Sequence, residues 1–77
     1  MNWDQEIDAS GLLCPLPVLK IGKRLRELPQ GTVLRARTDD PAALVDVPHF
    51  CAEQGHTLLD RQEDGFPAQI WLIRRGA

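Results

Sequence analysis

Seventy-seven residues, 43% of them hydrophobic and 26% charged, are enough for one globular domain over residues 1–77 and exclude a second core. A net charge of -2 offers no bulk attraction to nucleic acid or an anionic membrane, so strong direct nucleic-acid binding is not expected. No apolar run is long enough for a membrane span, and the opening MNWDQEID has neither a basic leader nor an apolar segment, so the expected location is the cytoplasm, without membrane association.

In chain order, Trp3, Gln5 and Ile7 alternate with Asp4, Glu6 and Asp8, which predicts a short strand with one wet face. From Pro15 to Leu28 the residues Val18, Ile21, Leu25 and Leu28 recur at helical steps, with Lys20, Lys23, Arg24 and Glu27 on the other side, and PQG at 29–31 stops the helix. TVLRART then reads as a strand with Leu34 and Ala36 inward and Arg35 and Arg37 outward. A second helix follows, with Asp40 as N-cap, Pro41 at its first position, Gly55 as its stop, and Ala43, Leu44, Val47, Phe50 and Cys51 as its inward stripe. Pro48 predicts a kink, or a restart capped by Asp46. TLLDRQE and PAQIWLIR, separated by DGF, predict a hairpin whose Asp-Gly supplies the positive φ of a tight turn. The order βαβαββ gives an α+β fold: a two-layer sandwich with two helices on one face of a mixed four-stranded sheet and a right-handed first crossover.

GLLCPLP, residues 11–17, holds the chemistry. Proline is tolerated in a first helical turn, where backbone N–H groups have no intrahelical acceptor. Pro15 and Pro17 therefore mark the helix start and put Cys14 at the N-cap, over the positive end of the dipole, with Gly11 giving the preceding loop room to turn. A thiolate there is expected to have a lowered pKa, and the stiff first turn to present the sulfur outward. Free cysteine is more often a small buried hydrophobe, but this setting favours a chemical role. Cys51 lies too far away for a Cys-x-x-Cys redox pair, both cysteines are expected as free thiols, and no motif ties His49 or His56 to Cys14 as a base. What remains is one exposed nucleophilic sulfur suited to taking a group from one protein and handing it to another.

DASGLLCPLPVLK resembles the Cys-Pro-x-Pro signature of the TusA/SirA family of small sulfur carriers, and TDDPAALVDVPHFC and the closing DG…LIRR resemble that family's later blocks. The resemblance implies the same βαβαββ sandwich and a transient persulfide on Cys14, with no other cofactor. It implies a cysteine desulfurase or rhodanese-type enzyme as sulfur donor and a downstream protein as acceptor, in transfer-RNA thiolation, molybdenum-cofactor synthesis or sulfur oxidation. A regulatory or interaction module with a redox-sensing Cys14 is the alternative.

Other residues carry lesser expectations. Cys51 on the inward stripe reads as core, and Asp39, Asp40 and Asp46 read as caps. Lys20, Lys23 and Arg24 form a basic face, ordinarily only solvated, that is also a candidate for docking an acidic partner. The last strand is apolar on both faces, and Trp71 and Ile73 are expected on the side away from the helices, as a partner patch or covered by arginine stems. Neither His49 nor His56 has the neighbours a metal site needs.

Overall fold

The structure, a computed structural model, describes residues 2–76. Its elements are β1 (Gln5–Asp8), α1 (Leu16–Glu27), β2 (Val33–Thr38), α2 (Ala43–Gln54), β3 (Thr57–Glu63) and β4 (Gln69–Arg74). The sheet runs β1-β2-β4-β3, with β1 parallel to β2 and the other two pairs antiparallel. The βαβαββ order and two-layer α+β architecture are those expected. Parallel pairing of β1 and β2 has one consequence that governs the rest: the loops that follow these strands emerge at the same sheet edge.

One face of the sheet meets the helices. Leu34 and Ala36 of β2 and Trp71 and Ile73 of β4 pack with Ile21, Leu25 and Leu28 from α1 and with Ala43, Val47 and Cys51 from α2. Gly22 lets the helices close: a Cβ there would stand 3.1 Å from Phe50 Cζ. The Arg75 guanidinium donates to the carbonyls of Arg26 and Leu28, which the end of α1 leaves without partners.

Three local expectations are corrected. α2 runs unbroken through Pro48, with Asp46 inside its first turn, so the chain does not restart there. The β3–β4 connection is longer than a tight Asp-Gly turn: only Gly65 takes positive φ, and Asp64 N–H donates to Ala68 O at 2.9 Å across a loop that includes Pro67 and Ala68. Trp71 and Ile73 face the helices and are both fully buried. Ile70 and Leu72 take the open side instead, beside Arg35, which lies 5.0 Å from the Trp3 ring and pairs with Glu6 at 3.1 Å.

His56, just after α2, accepts a hydrogen bond at Nδ1 from Gly76 N–H at 3.0 Å and lies against Phe50, ring centroids 5.6 Å apart. Burial, then the Arg75 charge, holds its pKa below the ordinary 6.5. The unfolded chain therefore takes up a proton first as pH falls, so His56 contributes stability that is complete above 6.5 and lost below it. The melting temperature is expected to fall on acidification from neutrality through this range, and His56→Gln to flatten that fall. Parallel profiles for the two proteins would rule His56 out as the cause.

Candidate functional site

The shared edge of β1 and β2 carries Cys14. Gly11 turns the loop after β1 with φ 79°, a conformation that glycine enters without steric cost. The loop is then fastened across the chain by the two acids that end β2: Asp39 Oδ1 accepts Gly11 N–H at 2.9 Å and Asp40 Oδ2 accepts Cys14 N–H at 2.6 Å. The other Asp40 oxygen accepts Ala42 N–H at 3.1 Å, so one carboxylate ties the sulfur loop to the start of α2. Asp39 and Asp40, read from the sequence as caps, thus act mainly as clasps.

Cys14 is exposed, as its setting predicts, but it does not occupy the N-cap of α1. Pro15 holds that position, Leu16 and Pro17 follow as the first two helical residues, and the N–H of Leu16 donates to Leu13 O at 2.8 Å. The sulfur residue is therefore one step outside the helix, and the nearest first-turn donor is already taken.

The expected fall in the thiol's pKa is also reversed. Cys14 is shifted up from the ordinary 9.0, first by hydrogen bonding to the Asp46 carboxylate, then by partial desolvation, then by the negative charges of Asp46 and Asp40. Carboxylates near a thiol favour its neutral form, and the sulfur does not directly cap the helix whose dipole would favour the thiolate. Cys51, 2% exposed in the core, is pushed by burial up to about 11.

The thiol opens on a shallow groove of about 230 Å³ lined by Cys14, Pro15 and Val18 on one side and Asp46, His49, Phe50 and Glu53 of α2 on the other. His49 Nε2 pairs with Glu53 at 3.0 Å. Several apolar side chains stay exposed on the loop and the helices that line the groove: Leu13 is 70% exposed, Leu16 50% and Leu19 59%, and Val45 on α2 73%.

Of the residues singled out in the sequence, Gly11, Cys14, Pro15 and Pro17 come together in this loop and first turn. Lys20, Lys23 and Arg24 line a separate groove, with Ile7 and Glu27. Lys20 Nζ donates to Asp8 O at 2.6 Å and Arg24 reaches Gln5 at 3.5 Å, which turns these two towards β1. Trp71 is in the core and has no part in a surface. Asp46 and Phe50 had not been linked to the sulfur: they lie more than 30 residues along the chain. The parallel β1–β2 edge was the one signal that could have placed the second loop and α2 beside the first.

The sequence pattern of the family described as Sulfurtransferase TusA matches residues 5–74. A protein of Pseudomonas entomophila described as Sulfur carrier protein TusA is 40% identical over 72 residues, 94% of this chain and 90% of its own. Among solved structures, a SirA-like protein of Desulfitobacterium hafniense superposes with a TM-score of 0.81 at 25% identity, over 96% of this chain and 100% of that one. Agreement in sequence and fold over nearly the whole length makes this chain a member of the TusA/SirA family.

Proposed function

We propose that this protein is a sulfur carrier that holds sulfane sulfur as a persulfide on Cys14 and relays it from a donor protein to an acceptor protein. The observation that carries the reading is the exposed thiol on a clasped loop, opening on a groove whose apolar lining is Pro15, Val18 and Phe50, with the exposed Leu13 next to it along the chain. The relative named as a sulfur carrier supports it. The groove is too shallow to enclose a small substrate, yet an exposed sulfur with Pro15, Val18 and Phe50 beside it suits docking into a partner's active site.

In loading, the Cys14 thiolate attacks the outer sulfur of a donor cysteine persulfide. The Cys14 S–S bond forms as the donor S–S bond breaks, the electron pair leaves on the donor thiolate, and no external oxidant is consumed. Delivery is the same exchange with an acceptor thiolate as attacker. A cysteine desulfurase or a rhodanese-type enzyme has the chemistry to act as donor, in the cytoplasm where such thiols stay reduced. An oxidant-sensing cysteine works through a low-pKa thiolate, which the upward shift of Cys14 opposes.

The test is the intact mass of the reduced protein after incubation with a cysteine desulfurase and cysteine, and separately with a rhodanese and thiosulfate. One added sulfur atom, lost on treatment with a thiol reductant, is expected with at least one donor. No gain with either, in a protein whose Cys14 still alkylates, would overturn the proposal.

The basic face gives a second expectation. Opposite charges across an interface speed encounter and are screened by salt. Changing Lys20, Lys23 and Arg24 to glutamate is expected to slow loading several-fold at low ionic strength and to invert its salt dependence, so that added salt speeds loading. A rate and salt slope equal to the wild type would leave these side chains as a solvated face only.

A further inference from the structure

The charges that face the sulfur are mostly negative. Asp46, His49 and Glu53 reach the groove from α2, and Asp40 reaches Cys14 from the loop before it. His49 is paired with Glu53, and among the described residues neither Asp40 nor Asp46 has an ion-pair partner. α1 lines this groove only through Val18, behind Cys14 and Pro15 of its leading loop, whereas its Lys20, Lys23 and Arg24 line another groove. Asp40 has a structural duty, accepting the N–H groups of Cys14 and Ala42. The Asp46 carboxylate accepts no backbone N–H among the described residues, and Asp46 lines the groove with Cys14.

We propose that Asp46 is a positioning residue that keeps the Cys14 thiol protonated in the free protein, and that a cationic side chain of the sulfur donor takes up the Asp46 charge when the groove is covered. The proposal rests on the reading of Cys14 as the sulfur-carrying residue. In the open groove, solvent moderates the repulsion between a Cys14 thiolate and Asp46. Once a partner excludes water the repulsion grows, and an arginine or lysine against Asp46 turns it into an attraction that favours the thiolate. The direction of the Cys14 shift and its first cause agree with this arrangement. The Cys14 proton passes to water as the cation arrives, the thiolate attacks the outer sulfur of the donor persulfide, and the donor thiolate that leaves with the S–S electron pair takes up a proton from water when the complex opens. Reactivity is thereby confined to the docked complex, which protects a carrier that meets many other thiols and disulfides between its partners.

The experiment uses the full chain carrying Cys51→Ala, so that one thiol reports, and compares Asp46→Asn with that parent and with Glu63→Gln, a change of equal charge at an exposed residue of β3 outside the groove. Alkylation by iodoacetamide is followed from mildly acidic to alkaline pH, and loading by a cysteine desulfurase with cysteine is followed by intact mass. Asp46→Asn is expected to move the alkylation profile to lower pH, with a rate about 3- to 10-fold higher at neutral pH, while loading at sub-saturating desulfurase becomes several-fold slower. Glu63→Gln is expected to leave the alkylation profile in place. Asp46→Glu, which restores a carboxylate, is expected to move the profile back and so separates charge from any loss of folding. An Asp46→Asn profile that superimposes on the parent, or a Glu63→Gln shift of equal size, would overturn the hold on the proton. Loading by Asp46→Asn that speeds up in step with alkylation would overturn the partner cation. If Asp46→Asn shifts the alkylation profile but no variant or parent gains sulfur from either donor type, the hold stands and the carrier reading fails.

Discussion

Replacing Trp71 by alanine is expected to destabilise the fold by about 3–5 kcal/mol, the cost of truncating a large buried aromatic side chain. The side chain is fully buried in the cluster that joins β2 and β4 to both helices, so its removal takes contacts from both layers of the sandwich. It also leaves a polar group behind. Trp71 Nε1–H donates to Thr38 Oγ1 at 2.9 Å, and Thr38 is itself fully buried. A buried hydroxyl that loses its partner adds about 1–3 kcal/mol in its own right. Domains hold about 5–15 kcal/mol in total, and one this small stands at the lower end. Trp71→Ala is therefore expected to populate the unfolded state at 25 °C, whereas Trp71→Phe keeps a ring in place and remains folded. Urea unfolding followed by far-ultraviolet circular dichroism measures both. A midpoint for Trp71→Ala equal to the wild type would mean that the side chain is not in the core.

The same residue shows where a sequence reading stops. Element types and order were legible because each rests on local periodicity: Val18, Ile21 and Leu25 along α1, Leu34 and Ala36 along β2. On β4, Ile70 and Leu72 alternate with Trp71 and Ile73, and period-two alternation does not say which set faces the helices. The choice is made by the neighbouring strand, where Ala36 stands opposite Trp71 and Leu34 opposite Ile73. Gln69 obscured it further: a glutamine on the same face as Trp71 reads as solvent-facing, yet it is fully buried, with Arg61 Nη1 donating to its Oε1 at 2.7 Å.

The site was legible in the same partial way. Cys-Pro-x-Pro gave the exposed sulfur and the helix that follows, because proline geometry is local. Where the cap falls was missed by one residue, and that residue matters: it removes Cys14 from the helix end whose dipole was expected to favour a thiolate. The sign of the shift comes from Asp46 and Asp40, which reach the sulfur through tertiary structure. A βαβ unit with parallel strands puts its successive loops at one edge, so the neighbourhood was implied by the topology, but the contact between particular carboxylates and the thiol was not.

Cys14→Ser is expected to abolish sulfur uptake completely, and Cys51→Ala to leave it intact. The contrast follows from accessibility before chemistry. Cys14 is exposed on the loop tip, whereas Cys51 is 2% exposed on the inward face of α2, where no donor persulfide can approach it without unfolding the core. The ionisation argument points the same way. A thiol at about 11 is a thiolate in only about one molecule in ten thousand at neutral pH, by the tenfold change in ratio per pH unit. Serine at position 14 keeps the size and the backbone N–H that Asp40 holds, so the loop is retained while the nucleophilic sulfur is lost. Both variants are to be incubated with a cysteine desulfurase and cysteine, and with a rhodanese and thiosulfate, and weighed intact. A sulfur atom gained by Cys14→Ser would move the carrier site to Cys51 and require the core to open during transfer. A gain by the wild type that both variants lose would instead make the buried thiol a second participant, with Cys14 serving to receive sulfur that Cys51 retains.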